Sequence, residues 1–310
     1  MKIFINRKPV EGPWGGGSKI LGSLIDEFRH RGHDVVFNLV DDIGLIFCFD
    51  PRSHEGISYE DLVCYRDKKR CKIIQRVGDV GSHSKPELTS LVKKTVDESD
   101  VVVFTSNWAK RQIVPKNKNV HIISNAPLDI FYSKRRDNSL PQKVIRIVTH
   151  HWSSNPLKGF DVYSHLGKLI NEKIITNIEF TYVGRYSENH SHDGITLVSP
   201  KNSKELSCIL PTHDIYLTAS LWEAGANHVL EAMAAGLPIL YRREGGSINE
   251  YCDGYGIEYD NNLQSLIDTI NIMVDDYVSY SEKTKGYTRT IGDVVGNYVD
   301  VIQHVCNGRF

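Results

Sequence analysis

Short apolar runs alternate with longer segments of helical period along almost the whole chain. In the first half, runs of strand length occupy residues 3–5, 35–37, 45–49, 73–77, 101–105 and 120–124. In the second half, similar runs occupy residues 144–148, 180–183, 195–198, 215–218 and 239–241. This alternation is typical of β-α-β units, so it predicts an α/β fold built on parallel sheets.

Helical faces lie between these runs. The first helix should end at Gly32, because glycine readily adopts the positive φ that closes a helix. Its apolar face is formed by Ile20, Leu21, Leu24, Ile25 and Phe28. The last apolar pattern, in residues 291–310, has no strand behind it. We therefore expect this C-terminal helix to pack back on the first half of the chain.

The chain is long enough for two domains, since 310 residues exceed what one compact core usually organises. Residues 132–143, YSKRRDNSLPQK, are polar and basic and interrupt the alternation of strands and helices. This break predicts a linker, with an N-terminal Rossmann-like domain in residues 1–138 and a second such domain in residues 139–290.

The composition excludes several classes of protein. Lys plus Arg (37) nearly balances Asp plus Glu (38), so the net charge of −1 provides no overall field for binding nucleic acid. The N-terminus lacks the apolar stretch of a signal peptide, and no segment approaches the roughly 20 apolar residues that cross a bilayer. We expect a soluble, cytoplasmic protein with no transmembrane segment and no nucleic-acid partner.

A glycine-rich segment, GPWGGGSK in residues 12–19, follows the first predicted strand. Its backbone N–H groups could approach an anion or a polar sugar closely, just before a helix N-terminus. The segment fits neither common nucleotide fingerprint, because Ser18 and Lys19 stand in the wrong order for a Walker loop and Ile20 stands where a dinucleotide loop needs glycine. A merely flexible connection between strand and helix is the alternative interpretation.

Lys158, in the segment LKGFDVY, lies just before a predicted helix and beyond the carboxyl end of a strand. Open α/β sheets bind ligands at this edge, and a phosphate would suit the lysine. A solvated lysine beside a turn is the alternative. His150 and His151 suggest a metal site, but neighbours in an extended segment point to opposite sides and no third ligand is suitably spaced.

The segment TASLWEAGANHVLEAMAAGLPILY places two glutamates near one strand end. Its alanine-rich part predicts a helix that is capped by Asn227 and closed by Gly236. Glu231 then lies in the second helical turn, and Glu223 lies in the loop that precedes the helix. Both carboxylates should therefore approach the mouth of one crevice. The alternative is structural, since an acidic residue near a helix N-terminus is stabilised by the helix dipole.

Two glutamates separated by seven residues, followed by A-M-A-x-G-x-P and a short apolar strand, resemble the signature of the retaining glycosyltransferases of family 4, also called group 1. The other segments agree in order: the glycine-rich loop, SNAPLDIF (residues 124–131), LKGFD, and GGSINEY after the glutamate pair. The resemblance covers nearly the whole chain, and the ordered set is more specific than any single motif. It implies the GT-B fold, in which two Rossmann-like domains face a central cleft.

The resemblance implies a nucleotide-sugar donor bound by the second domain. Glu231 would hold the ribose hydroxyls, Glu223 would face the transferred sugar, and Lys158 would neutralise the diphosphate. Backbone N–H groups at the helix start would assist, from Ala226, Asn227 and His228.

The first domain would contribute residues from two of its loops. The resemblance implies that Gly15 and Gly16 close on the phosphates or on the acceptor. Asp79 follows a strand at a place where the family often carries an active-site polar residue, and His83 lies nearby. We therefore include Asp79 and His83 among the candidate catalytic residues.

The chain departs from the family pattern at several places. The usual Gly-Arg dipeptide before the phosphate lysine is replaced here by His151, Trp152 and Ser153, which leaves a histidine, Ser153 or Asn155 as candidates for the second phosphate ligand. The usual Phe-Gly between the glutamates is Gly225-Ala226. The chain is also short for the family, with the deficit in its first half.

The implied reaction transfers a hexose, with retention, from a nucleotide diphosphate sugar to a hydroxyl of a glycan or another acceptor. UDP-glucose is the first expected donor and GDP-mannose the second. No Asp-x-Asp motif follows a strand of the second half. We therefore expect neither a metal ion nor another cofactor. A nucleotide-sugar epimerase of related fold and a catalytically silent sugar-nucleotide-binding module are the alternative functions.

Overall fold

A computed structural model describes residues 1–10, 16–82, 85–137 and 143–306. The chain divides into two compact units. The first unit contains the described residues up to Asn125 and those from Ile291 onward, and the second runs from Ala126 to Thr290. Each unit contains one six-stranded sheet in which all neighbouring strands are parallel.

The first sheet has the strand order β2-β1-β3-β4-β5-β6. Its strands are β1 (Lys2–Ile5), β2 (Asp34–Val36), β3 (Ile43–Cys48), β4 (Lys72–Val77), β5 (Val101–Phe104) and β6 (Val120–Ile122). The central strands are continuous apolar runs because both faces of a parallel sheet are covered, and every residue of β5 is buried.

The helices of the first unit are α1 (Gly16–His30), α2 (Tyr59–Lys69), α3 (Pro86–Glu98), α4 (Asn107–Ile113) and the C-terminal helix (Ile291–Cys306). Gly32 closes α1 as predicted, with φ of 77°. The C-terminal helix packs in this unit, where the ring of Tyr298 meets Phe47 of β3 edge to face at 5.7 Å.

The second sheet has the strand order β12-β11-β10-β7-β8-β9. Its strands are β7 (Ile145–His151), β8 (Ile178–Gly184), β9 (Ile195–Val198), β10 (Ile215–Thr218), β11 (Ile239–Arg242) and β12 (Gly256–Tyr259). The helices are α5 (Phe160–Asn171), α6 (Ser203–Ile209), α7 (Asn227–Ala234), α8 (Ser247–Cys252), α9 (Leu263–Asp275) and α10 (Tyr277–Lys285). Short 3-10 helices are found at Asp129–Phe131, Pro156–Lys158 and Leu210–Thr212.

The predicted α/β class is confirmed, and each predicted strand is present. The strand β12 is not predicted from the sequence, and β7 extends three residues beyond its predicted end to include its two histidines. Within the described ranges, no helix is both long and apolar enough to cross a membrane.

The boundary between the units falls at Asn125 rather than at residue 138. The basic segment that predicts a linker instead packs on the second unit as far as Arg136. The N–H of Arg136 donates to the carbonyl of Ala235 at 2.9 Å, and Arg136 Nη2 donates to Asp214 Oδ1 at 2.5 Å. Asp214 is itself fully buried, so this ion pair requires the arginine to stay in place. Residues 138–142, which contain the predicted boundary, lie outside the described part of the chain.

Candidate active site

Two adjacent strands at the centre of the second sheet, β7 and β10, end beside each other. Beyond β7 the chain forms the 3-10 turn Pro156–Lys158, and beyond β10 it forms the loop that leads into α7. The carboxyl ends of such strands are the usual ligand-binding edge of an open α/β sheet. The predicted residues Lys158 and Glu223 lie on these two segments, and Glu231 lies in α7, which follows the second.

Glu231 is paired with His150 at the end of β7. The distance from His150 Nε2 to Glu231 Oε2 is 2.9 Å, and Glu231 is only 4% exposed. On its other side the imidazole meets the hydroxyl of Tyr216, at 3.1 Å from Nδ1. A carboxylate buried this deeply needs hydrogen-bonding partners, and the pair supplies one. This role of His150 is not predicted from the sequence, where the residue is a candidate only for a metal site.

Lys158 forms an ion pair with Glu223, in which Nζ donates to Oε1. Both side chains are mostly buried, with 14% and 15% exposed. The loops that carry them touch directly. The N–H of Leu221 donates to the carbonyl of Leu157 at 2.9 Å, and a Cβ on Gly159 would lie 2.3 Å from that of Ala219. The backbones that carry the two charged side chains are therefore held close to each other.

The segment GGSINEY supports the backbone of Glu223. Its N–H donates to the carbonyl of Gly245 at 3.1 Å, and its carbonyl accepts from the N–H of Ser247 at 2.8 Å. Gly246 adopts φ of 76°, and a Cβ there would lie 2.6 Å from the carbonyl oxygen of Glu223. Only glycine combines this conformation with so close an approach.

The start of α7 differs from the prediction. Asn227 is the first residue of the helix rather than its cap, and Ala226 occupies the cap position without a side-chain hydrogen bond. The N–H of Ala226 donates to Ser247 Oγ at 3.0 Å, which holds this residue extended just before the helix. Of the three N–H groups that are predicted to bind phosphate, that of Ala226 therefore has a hydrogen-bond acceptor within the protein. Asn227 Oδ1 is buried and finds no partner among the described residues.

His228 and His151 are buried neutral imidazoles beside the ion pairs. Burial lowers the pKa of His228 from 6.5 to about 3, and it lowers the pKa of His151 well below 6.5. Their rings lie 4.9 Å apart, which would be unfavourable for two cations. His228 Nε2 lies 3.0 Å from Thr218 Oγ1, and His151 Nε2 lies 3.0 Å from Tyr163 Oη.

The described residues contain no group of three or more His, Cys, Asp or Glu side chains that could hold a metal ion. His150 and His151 contact different partners, as expected for neighbours in a strand. Ser153 and Asn155 belong to the turn before Lys158. Ser153 Oγ accepts from the N–H of Asn155 at 3.2 Å, and Asn155 Oδ1 accepts from the N–H of Leu157 at 2.9 Å.

With this geometry established, comparison with known proteins identifies the domain. Residues 143–276 match the family model described as "Glycosyl transferases group 1". This part of the chain is a group 1 glycosyltransferase domain. It contains all the predicted donor-binding residues except Gly15 and Gly16. No curated protein sequence matches the chain.

Solved glycosyltransferase structures resemble the whole chain. Sucrose-phosphate synthase (tll1590) from Thermosynechococcus elongatus has a TM-score of 0.73 at 12% identity, with 99% of each chain covered. WaaG, a glycosyltransferase involved in lipopolysaccharide biosynthesis, has a TM-score of 0.68 at 13% identity, covering 97% of this chain and 99% of its own. A glycosyltransferase from Rickettsia africae ESF-5 has a TM-score of 0.66 at 13% identity, with 98% of each covered. At such identities the likeness establishes the fold, which is GT-B.

The predicted residues outside the group 1 domain belong to the first unit. Asp79 Oδ1 accepts from the N–H of Gly81 at 3.0 Å, and Asp79 Oδ2 accepts from Lys85 Nζ at 3.0 Å. The carboxylate is thus half-exposed and paired with a lysine. Gly16 is the first residue of α1. Gly15 and His83 lie outside the described residues.

Proposed function

We propose that this chain is a retaining glycosyltransferase that transfers a hexose from a nucleotide diphosphate sugar to a hydroxyl group of its acceptor. One observation carries the proposal: the pairs Glu231–His150 and Glu223–Lys158 lie at neighbouring strand ends within the group 1 domain. UDP-glucose is the first expected donor and GDP-mannose the second. The acceptor is a glycan or another hydroxyl compound.

Glu231 is proposed to accept hydrogen bonds from the ribose hydroxyls. A carboxylate offers two oxygens to neighbouring hydroxyls, and desolvation strengthens such bonds. His150 contacts one oxygen and limits the rotation of the carboxylate. A preoriented carboxylate loses less conformational entropy when the nucleoside binds, which favours tighter binding.

Lys158 and Glu223 are proposed to exchange partners when the donor binds. A diphosphate carries more negative charge than one carboxylate, so it competes for the ammonium group of Lys158. Glu223 is then released to accept hydrogen bonds from hydroxyls of the sugar. The N–H groups of Asn227 and His228 are at the start of α7, where the positive end of the helix dipole favours an anion. We propose that they contribute to binding the diphosphate.

In the proposed reaction, the bond between the anomeric carbon and the diphosphate oxygen breaks, and the acceptor oxygen forms a new bond on the same face of the sugar. The acceptor proton passes to the departing diphosphate oxygen. No protein nucleophile is needed. Lys158 and the helix N-terminus balance the charge of the leaving group, so we propose that no metal ion is required.

The proposal is tested by measuring thermal stability against a panel of nucleotide sugars, followed by product analysis. A donor present at about 100 times its Kd should add roughly 2.7 kcal/mol to the free energy of unfolding. Turnover with an acceptor should persist in EDTA. Conversion of the donor alone into an epimer would indicate an epimerase instead. Binding without turnover across a broad acceptor panel would indicate a silent binding module.

A further inference from the structure

The first unit contains a pocket of its own, beyond the carboxyl ends of β3 and β4. Its volume is about 160 Å³. For comparison, an apolar cavity of about 150 Å³ can accommodate a six-membered ring. The pocket is lined by Phe49, Asp50, Pro51, Arg76, Gly78 and Asp79, together with Leu88 from α3.

Arg76, one of these lining residues, is a buried cation for which the described ranges of the chain provide no carboxylate partner. It is only 4% exposed, and its guanidinium lies over the ring of Phe49 at 4.7 Å from the centroid. Nη2 donates to the neutral amide oxygen of Asn125 at 3.1 Å. Nε is buried, and neither a hydrogen-bond acceptor for it nor an ion pair for the side chain is found in the described part of the chain.

Another buried arginine has the carboxylate partner that a buried guanidinium usually requires. Arg136 in the second unit has a side chain that is 8% exposed, and it is paired with the carboxylate of Asp214. Burying a guanidinium without such a partner is costly, because water is lost and no opposite charge replaces it. The stack on Phe49 offsets only part of this cost. An anion in the pocket would supply the missing charge.

The two carboxylates that line the pocket are each paired with cations other than Arg76. Asp50 is paired with Arg52 and lies 3.5 Å from Arg7, and Asp79 is paired with Lys85. These pairings offset the negative charges of Asp50 and Asp79, which reduces the repulsion that an anion beside Arg76 would meet.

We propose that this pocket binds an anionic group, a carboxylate or a phosphate, carried by the acceptor, and that Arg76 is the residue that recognises it. Assigning the anion to the acceptor rests on the proposed function. The planar guanidinium suits both groups, because its N–H donors match two oxygens of either anion. The acceptor is therefore a monosaccharide-sized or larger hydroxyl compound with one acidic substituent.

Gly78 offers a way to disturb the site without removing the charge. A Cβ at this position would lie 2.1 Å from Arg76 Nη1, so a methyl group must displace the guanidinium. Gly78→Ala and Arg76→Met therefore test the same site by two different routes. Lys94→Ala is the matched control, because Lys94 is an exposed cation of the same unit that pairs with Glu60 on the surface.

The experiment is calorimetric titration of the full chain with four probes: a neutral hexose, a hexose 6-phosphate, a hexuronic acid and inorganic phosphate. At least one of the two anionic sugars should bind about tenfold or more tightly than the neutral hexose. Both pocket variants should remove this preference, and Lys94→Ala should retain it. The sugar that shows the preference identifies the anion as phosphate or carboxylate.

Inorganic phosphate could also bind at Lys158, so it is titrated against Lys158→Ala as well. Phosphate binding that survives Lys158→Ala but not Arg76→Met belongs to the pocket.

The inference is overturned if no anionic sugar is preferred, or if the preference persists in both pocket variants. Titration with nucleoside diphosphates, which represent the nucleotide part of the donor, separates the two proposals. Binding that is retained in Arg76→Met supports the proposed function, whether or not the pocket binds an anion. Anion binding at Arg76 in a chain that binds no nucleotide sugar would reject the proposed function alone.

Discussion

Glu231 Oε2 and His150 Nε2 lie 2.9 Å apart, although the two residues are separated by 81 positions in the sequence. The contact joins the end of β7 to the second turn of α7 beneath the candidate donor site. The two residues therefore act as one unit: a change in the histidine changes the orientation of the carboxylate, and loss of the carboxylate leaves a buried histidine without its partner.

This relationship predicts that His150→Ala weakens donor binding in the same direction as Glu231→Ala. A carboxylate that holds ribose in ground and transition states alike affects KM more than kcat. We expect the donor KM to rise about tenfold or more in Glu231→Ala and by a smaller factor in His150→Ala, with kcat changed little. Steady-state kinetics with varied donor measures both values. His192→Ala, an exposed histidine of the same unit, is the control, and equal KM values in all three variants would contradict the prediction.

Substitutions of Glu223 and of Lys158 should affect different steps, the first mainly turnover and the second mainly donor binding. If Glu223 contacts the sugar most strongly in the transition state, Glu223→Ala should lower kcat by roughly 10²-fold with a smaller effect on donor KM. Lys158→Ala should weaken binding of a nucleoside diphosphate by about tenfold or more and of the nucleoside far less. Titration calorimetry with both ligands provides the comparison. Equal losses of affinity for the two ligands would show that Lys158 does not meet the diphosphate.

The sequence predicts where the residues of this site lie in the fold better than which side chains pair with each other. Lys158 and Glu223 follow strand ends of one unit, and Glu231 lies in the helix after the second of these strands, because apolar runs of strand length locate the sheet edges reliably. The pairs themselves depend on which strands become neighbours, and β7 and β10 are adjacent only in the folded sheet. Nothing local to His150 indicates Glu231 as its partner.

The errors at the level of the fold have similar causes. The strand β12 is not predicted because it is a short edge strand whose third residue, Glu258, is exposed, so no continuous apolar run marks it. The basic segment around Arg136 is typical of a linker, because charged residues usually lie in solvent. Its partner, Asp214, lies 78 positions away, and only the folded chain brings them together.

Gly246→Ala should reduce activity by disturbing the backbone of Glu223. The substitution adds both the strain of a positive φ and a clash, 2.6 Å from the carbonyl oxygen of Glu223. Gly254→Ala is the matched control, because Gly254 has φ of 80° but nothing within 4 Å of its Cβ position. We expect the control to lose about 1 to 2 kcal/mol of unfolding free energy with normal kcat. Gly246→Ala should lose more stability and also kcat, as measured by urea unfolding and steady-state kinetics.

The buried histidines predict a pH dependence of stability. The pKa of His228 is lowered to about 3 in the folded chain, whereas the unfolded chain binds the proton near pH 6.5. Between these values the unfolded state holds more protons, so the free energy of unfolding falls as the pH falls, by up to about 1.4 kcal/mol per pH unit for this residue. Urea unfolding from pH 7 to pH 4 should show a shallower slope for His228→Gln. Lys93→Ala, at an exposed lysine, removes no group that titrates in this range and should keep the slope of the unsubstituted chain.

The stereochemistry of the product tests the group 1 assignment and the proposed mechanism together. If the acceptor attacks the face that the diphosphate leaves, an α-linked donor such as UDP-glucose gives an α-linked product. Inversion would instead require a general base on the opposite face, with Asp79 and His83 of the first unit as the candidates from sequence. Asp79 Oδ2 accepts a hydrogen bond from Lys85 Nζ at 3.0 Å, so the carboxylate already has a partner within the first unit. We therefore expect a small anomeric coupling constant in the proton NMR spectrum of the first-formed glucoside. A large diaxial coupling would establish inversion. Loss of turnover in Asp79→Asn would then assign the base to Asp79.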